Sequence, residues 1–290
     1  MSQTALITGA NSGIGLHTLK RLYATGHYSK IIGIARDAQK CNNALEALSS
    51  ITAPAGETTV EFYTCDLTSP SQVQKLYDED LKGIDKLDLI VNNAGVMDHP
   101  LTFTDHGIEY HFAANYLGHF QLTKLLLNKL SHDARIINVT SGHYKKTNKV
   151  PVLETIKIVD GKKPRGSPKF FYAQSKLSQC LYTLALKDYL ESNGRGSVKV
   201  LSVRPGFIRG TELGRYHSKF IRTLAIPLVL LFSKNLEKGT DGIVFCATAP
   251  SGDVQSGKLY CNKNVEEYNR LVTEENAKNL WQLSEKLLAV

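Results

Sequence analysis

Long apolar runs are missing from this 290-residue sequence. The longest, Leu224-Ala225-Ile226-Pro227-Leu228-Val229-Leu230-Leu231-Phe232, falls far short of the ~20 residues that a bilayer-spanning helix needs, and a proline interrupts it. Such a run suits the cover of an apolar substrate or a peripheral contact with a membrane. The first strand-like run starts by Thr4, which leaves no length for a signal peptide. Cysteine is sparse, with five residues and no Cys-x-x-Cys pair. That argues against a disulfide framework and a zinc site, and for a reducing, cytoplasmic setting. Also missing are Pro/Gly/Ser-rich linkers, low-complexity tracts and internal repeats, so a single domain over 1–290 is expected. The surplus is positive charge, formally +8, which favours an anionic ligand or surface. The basic residues are nonetheless scattered, with small clusters at Lys145-Lys146 and Lys162-Lys163-Pro164-Arg165, and no nucleic-acid-binding motif accompanies them.

The chain opens on the β-prone run Ala5-Leu6-Ile7, followed by Thr8-Gly9-Ala10-Asn11-Ser12-Gly13-Ile14-Gly15 and then by apolar residues at helical spacing, Ile14, Leu16, Leu19 and Leu22. Strand, glycine turn and helix in this order form a pyrophosphate cradle: glycines let the backbone approach, and the amides and dipole at the helix start attract the charge. A second strand, Lys30 to Ala35, ends at Arg36-Asp37. In a dinucleotide fold this position faces the adenine ribose, where an arginine pairs with a 2′-phosphate, so Arg36 points to NADP(H). Asp37 either caps the next helix or meets the ribose itself; Lys40 either adds charge there or is solvated. A third strand around Val60–Thr64 ends in Cys65-Asp66-Leu67, where Asp66 either accepts from the adenine amino group or caps the helix after Ser69-Pro70. A fourth, Leu87–Val91, runs into the small polar turn Asn92-Asn93-Ala94-Gly95.

Apolar spacing predicts a long helix over Thr104–Leu130, in which Asn115 occupies a position that favours an apolar residue and therefore needs hydrogen-bond partners. The strand Arg135 to Val139 then delivers Ser141 to the same sheet edge. Lys145 to Ser167 reads as a loop over the site. In the next helix Tyr172 and Lys176 stand four residues apart, on one face. A tyrosine titrates near ~10, and a neighbouring cation lowers that by about 1 to 3 units, which prepares a phenol to exchange protons near neutrality.

Together, Thr8-Gly9-x-x-x-Gly13-x-Gly15, Asn92-Asn93-Ala94-Gly95, Asn115, Ser141 and Tyr172-x-x-x-Lys176 resemble the short-chain dehydrogenase/reductase family. Ala35-Arg36-Asp37, Asn115-Tyr116-Leu117-Gly118-His119-Phe120 and the tail Asn279 to Lys286 are similar to its retinol dehydrogenase and WW-domain oxidoreductase-like branch. The resemblance implies an α/β, Rossmann-type doubly wound parallel sheet. It also implies a hydride transfer between NADP(H) and the carbonyl or alcohol of an apolar substrate such as a retinoid, lipid aldehyde, steroid or quinone. Tyr172 would be the general acid/base. Lys176 would lower its pKa and hold the nicotinamide ribose, Ser141 would donate to the substrate oxygen, and Asn115 would keep a water linking Lys176 to solvent. The cofactor would rest on Gly9, Asn11, Ser12, Gly13, Ile14 and Gly15, then on Arg36, Asp66 and Leu67, then on Asn93, Ala94 and Gly95, and also on Tyr172 and Lys176. Beyond the sixth strand, Val198 to Val203, it would meet Pro205, Gly206, Ile208 and Thr211, with 212–236 as a substrate cover. Pairing of two copies through the long helices would follow the family habit.

Three features depart from the pattern: with the first strand starting by Thr4, no membrane anchor of the kind many of these retinol enzymes carry is expected ahead of it, the Ser141–Tyr172 segment is long, and Gly210 is an extra residue before Thr211. A non-catalytic NADP(H)-binding scaffold or redox sensor is the alternative on the same fold, but binding alone does not require Asn115, Ser141, Tyr172 and Lys176 together. A serine hydrolase built on Ser141 and His143 lacks the Gly-x-Ser-x-Gly elbow. No metal site is expected.

Overall fold

A computed structural model describes residues 3–49, 51, 58–97, 99–205 and 236–289. The chain runs β1 (Thr4–Thr8), α1 (Gly13–Thr25), β2 (Lys30–Ala35), α2 (Ala38–Glu46), β3 (Thr59–Thr64), α3 (Pro70–Leu76) and β4 (Leu87–Asn92). A helical rod, here α4, follows as Tyr110–Phe112, a π turn Ala113–Leu117 and Gly118–Leu126; next come β5 (Leu130–Val139), α5 (Pro168–Ser192) and β6 (Lys199–Arg204). Beyond 235 lie α6 (Leu236–Thr248), β7 (Leu259–Cys261), β8 (Asn264–Glu266) and α7 (Glu274–Leu288).

The strands form one sheet in the order β3-β2-β1-β4-β5-β6-β7-β8. All pairings are parallel except β7 with β8. Buried runs such as Leu89-Ile90-Val91 and Val200-Leu201 suit a sheet covered on both faces. One face packs on α4, α5 and α7 through Phe112, Tyr116, Phe120, Leu177, Leu181 and Leu280. The other packs on α1 and α6 through Leu19, Leu22, Ile243 and Cys246. Each fully buried large side chain of this kind contributes roughly 1.5–3 kcal/mol of transfer free energy. Because β1 lies between β2 and β4, the chain leaves its two sides in opposite directions, opening a crevice at the strands' carboxyl ends.

The expected helix over Thr104–Leu130 is shorter at both ends. Before Tyr110, Gly107 takes φ +71° in a turn closed by its N–H to Thr104 O (2.8 Å), and the Glu109 carboxylate caps the helix by accepting from Phe112 N at 2.9 Å. At the far end a 3₁₀ turn over Leu127–Lys129 leads straight into β5, which claims Leu130. Two expected features lie outside the described residues: Gly206, Ile208 and Thr211 of the Pro-Gly motif, and the cover at 212–235 with its 224–232 run. Strand β8 had no counterpart in the sequence pattern.

Candidate active site

The carboxyl ends of the central strands surround one cleft of about 590 Å³. Gly9, Asn11, Ser12, Gly13, Ile14 and Gly15 line it after β1, Arg36 after β2, Asp66 and Leu67 after β3, Asn93, Ala94 and Gly95 after β4, Ser141 after β5 and Pro205 after β6, with Tyr172 and Lys176 from α5. Candidate residues separated by up to most of the chain are thus brought together; Asn115 alone among the described ones stands behind the lining.

The glycine turn fits a pyrophosphate. A Cβ on Gly15 would lie 2.1 Å from Gly9 O, and Gly9, at φ +65°, would bring one to 2.9 Å from Ala94 Cα. Only bare backbone allows this approach, and Ser12 at the start of α1 makes no side-chain cap hydrogen bond. Thr8 ties the turn to the next wall, its Oγ1 accepting from Asn93 N and Ala94 N, both at 2.9 Å. Behind it, His119 Nε2 is 2.8 Å from the same hydroxyl, and burial depresses the imidazole's pKa to about 3, so His119 is neutral at ordinary pH. Its Nδ1 stands 3.1 Å from Asn115 O and 3.0 Å from Gln179 Nε2.

At the other end of the cleft, Arg36 and Asp66 approach to 4.0 Å. Of the roles open to Asp37, the structure uses the cap: its carboxylate accepts from Lys40 N at 3.0 Å. Asp66 is not a helix cap. Ser69 caps α3, while Asp66 Oδ1 accepts from Thr68 N and Oγ1, both at 2.9 Å.

Tyr172 and Lys176 lie on the buried face of α5, with Lys176 Nζ 5.9 Å from the centre of the phenol ring. The ammonium donates to Val139 O at 3.0 Å, and burial lowers its pKa from 10.5 to about 8. Ser141 begins a 3₁₀ turn and accepts from His143 N at 3.3 Å. Within this turn His143 Nδ1 is 3.5 Å from Ser141 Oγ, and the imidazole centre is 5.6 Å from the Tyr172 ring centre.

Asn115 sits in the π turn of α4, fully buried. Its amide clasps Val96 from both sides, accepting from Val96 N (2.7 Å) and donating to Val96 O (3.0 Å), and also donates to Ser175 Oγ at 2.9 Å. Ser175 in turn donates to Tyr172 O at 2.8 Å. A Cβ on Gly95 would lie 3.2 Å from Asn115 Oδ1 and 3.4 Å from Lys176 Nζ, so Asn115 supports the wall between β4 and α5. Sequence reasoning passed over Ser175, His119 and Gln179; the only hint was their place inside quoted motifs or one helical turn beyond them.

Among the described residues no helix is long and apolar enough to cross a membrane, and no group of three or more His, Cys, Asp or Glu side chains is placed to hold a metal ion. A family model described as short chain dehydrogenase matches residues 3–152. Retinol dehydrogenase 14 of Mus musculus is 33% identical over 303 aligned residues, covering 99% of this chain and 86% of the relative. Retinol dehydrogenase 12 of Homo sapiens is 32% identical, covering 99% and 87% respectively. The crystal structure of an uncharacterized protein from Mycobacterium paratuberculosis superposes with a TM-score of 0.74 at 27% identity, covering 99% of this chain and 94% of the other. Likeness of this extent, on a doubly wound sheet whose glycine turn fits a pyrophosphate, makes the chain a member of the short-chain dehydrogenase/reductase family in its retinol dehydrogenase-like branch, a hydride-transfer oxidoreductase that works with a nicotinamide cofactor on a small-molecule substrate.

Proposed function

We propose that the protein is an NADP(H)-dependent carbonyl reductase of apolar substrates, with Tyr172 as general acid. The observation that carries this reading is the buried Lys176 ammonium beside the Tyr172 ring, on one cleft with Ser141 and the glycine cradle. The nicotinamide, when bound, supplies the hydride pair to the carbonyl carbon. Tyr172 gives its proton to the oxygen as the C=O π bond breaks, so that one C–H and one O–H bond form. A cation on this side of the ring favours the phenolate over the phenol and so prepares Tyr172 to give up its proton. Ser141 donates to the oxygen where negative charge develops. Asn115 acts through position, holding Val96 and, by way of Ser175, the first turns of α5. Arg36 pairs with the 2′-phosphate, which favours NADPH and therefore reduction. The apolar composition of 224–232 suits a retinoid, lipid aldehyde, steroid or quinone, or a membrane surface.

The test is turnover of an aliphatic aldehyde with NADPH by Tyr172→Phe. A loss of at least ~100-fold in kcat is expected, the usual contribution of a positioned acid. Near-normal turnover removes the proposal, and binding of NADPH without consumption of any carbonyl by the unaltered chain supports the scaffold instead.

A further inference from the structure

At the end of the cleft formed by Arg36 and Asp66 lies a contact outside the roles assigned above. Arg36 Nη1 donates to the hydroxyl of Tyr110 at 2.6 Å, joining the end of β2 to the first residue of α4. A phenol accepts this bond without neutralising the cation, and it engages one of the five N–H donors of a guanidinium. The Asp66 carboxylate stands 4.0 Å off, with its other oxygen held by Thr68. Arg36 is thus located while its charge is left for an incoming anion.

Tyr110 is mounted on a fixed base. Its ring stacks on His99 at 4.2 Å and 20°, and its N–H donates to Thr102 O at 3.1 Å. Just before it, the fully buried Glu109 caps the helix at Phe112 N and is 2.7 Å from His111 Nδ1. The arginine, whose side chain is 43% exposed, is therefore tethered to the start of α4.

We propose that Tyr110 is a positioning residue for cofactor choice, holding Arg36 where it meets the 2′-phosphate of NADP(H) and so raising discrimination against NAD(H). This rests on the NADP(H) reading. A tethered side chain loses less freedom when its ligand arrives, and only a ligand that carries the phosphate gains.

The experiment is calorimetric titration of the full chain with 2′,5′-ADP and with 5′-AMP, which differ by the 2′-phosphate alone, for the wild type, Tyr110→Phe, Arg36→Gln and the double variant. Phenylalanine keeps the stack on His99 and removes only the hydroxyl. Tyr110→Phe is expected to weaken 2′,5′-ADP about three- to tenfold while 5′-AMP stays within about twofold, with no further effect in the Arg36→Gln background. In turnover, KM for NADPH should rise by the same factor while kcat holds. Equal weakening of both probes, no change in either, or an undiminished effect without Arg36 overturns the proposal. A wild type that binds 2′,5′-ADP no tighter than 5′-AMP removes the NADP(H) reading and the proposal together. A wild-type preference abolished by Arg36→Gln but untouched by Tyr110→Phe removes the proposal alone.

Discussion

Truncating Asn115 to alanine should destabilise the protein by about 2–6 kcal/mol. Its amide is the partner of both the N–H and the carbonyl of Val96, at 2.7 and 3.0 Å, inside a fully buried turn of helix. Alanine leaves both groups unpaired, at about 1–3 kcal/mol each. Against a total stability of ~5–15 kcal/mol, the loss is easily read as a shift in the urea midpoint. Asn115→Asp separates hydrogen bonding from bulk. A buried carboxyl has its pKa raised, so the favourable protonated form is complete below the unfolded value of ~3.9 and is lost as pH rises through the folded value. The deficit of Asn115→Asp relative to the wild type should therefore grow between about pH 5 and pH 8. A loss under ~1 kcal/mol for alanine, or a pH-independent deficit for aspartate, would refute the assignment of Asn115 as the clasp on Val96.

In Gly15→Ala, the new methyl would lie 2.1 Å from Gly9 O, so the turn must open by about 1 Å; NADPH affinity followed by fluorescence should fall roughly 100-fold, and an unchanged affinity would mean that the cradle does not hold the cofactor. Lys176, with its pKa lowered to about 8, should cause kcat/KM for carbonyl reduction to decline as pH rises through about 8; the inflection should vanish in Lys176→Met. The same shift has a stability signature: between about 8 and 10.5 the unfolded chain binds more protons at this lysine, so its contribution to stability rises with pH across that window. Urea midpoints of the wild type and Lys176→Met, compared across the window, check the sign.

Most of the framework was legible because it depends on short-range chemistry. An apolar strand, a glycine turn and an amphipathic helix are contiguous in residues 4–25, and β1 and α1 appear there as expected. Helical spacing put Tyr172 and Lys176 on one face, but only the accompanying glycine turn, Asn115 and Ser141 singled the pair out. What escaped depends on tertiary partners. The π turn around Asn115 adds a residue without disturbing the apolar pattern, because Ala113 and Ala114 are small enough for either face. The start of α4 is decided by the Glu109 carboxylate, which is buried against His111 in a way that no local pattern reports. Asp66 was open as a helix cap from the sequence; its carboxylate instead closes the loop on Thr68, and Ser69 caps α3. Strand β8 has three residues and leaves Val265 43% exposed, so it carries no apolar signal; it exists because β7 offers an edge to pair with.

That outermost strand bears on how copies of the protein meet. Unpaired backbone donors and acceptors along a rim invite another chain to add itself to the sheet, and proteins suppress this with short or charged rims. Here one rim is three residues long, and its Glu266 is locked in a two-pronged bond with Arg204. The opposite rim, β3, presents Glu61 in an ion pair with Lys30 at 2.9 Å. Growth from either side meets a charged side chain already held within its own molecule, so edge-to-edge addition of a further strand is disfavoured.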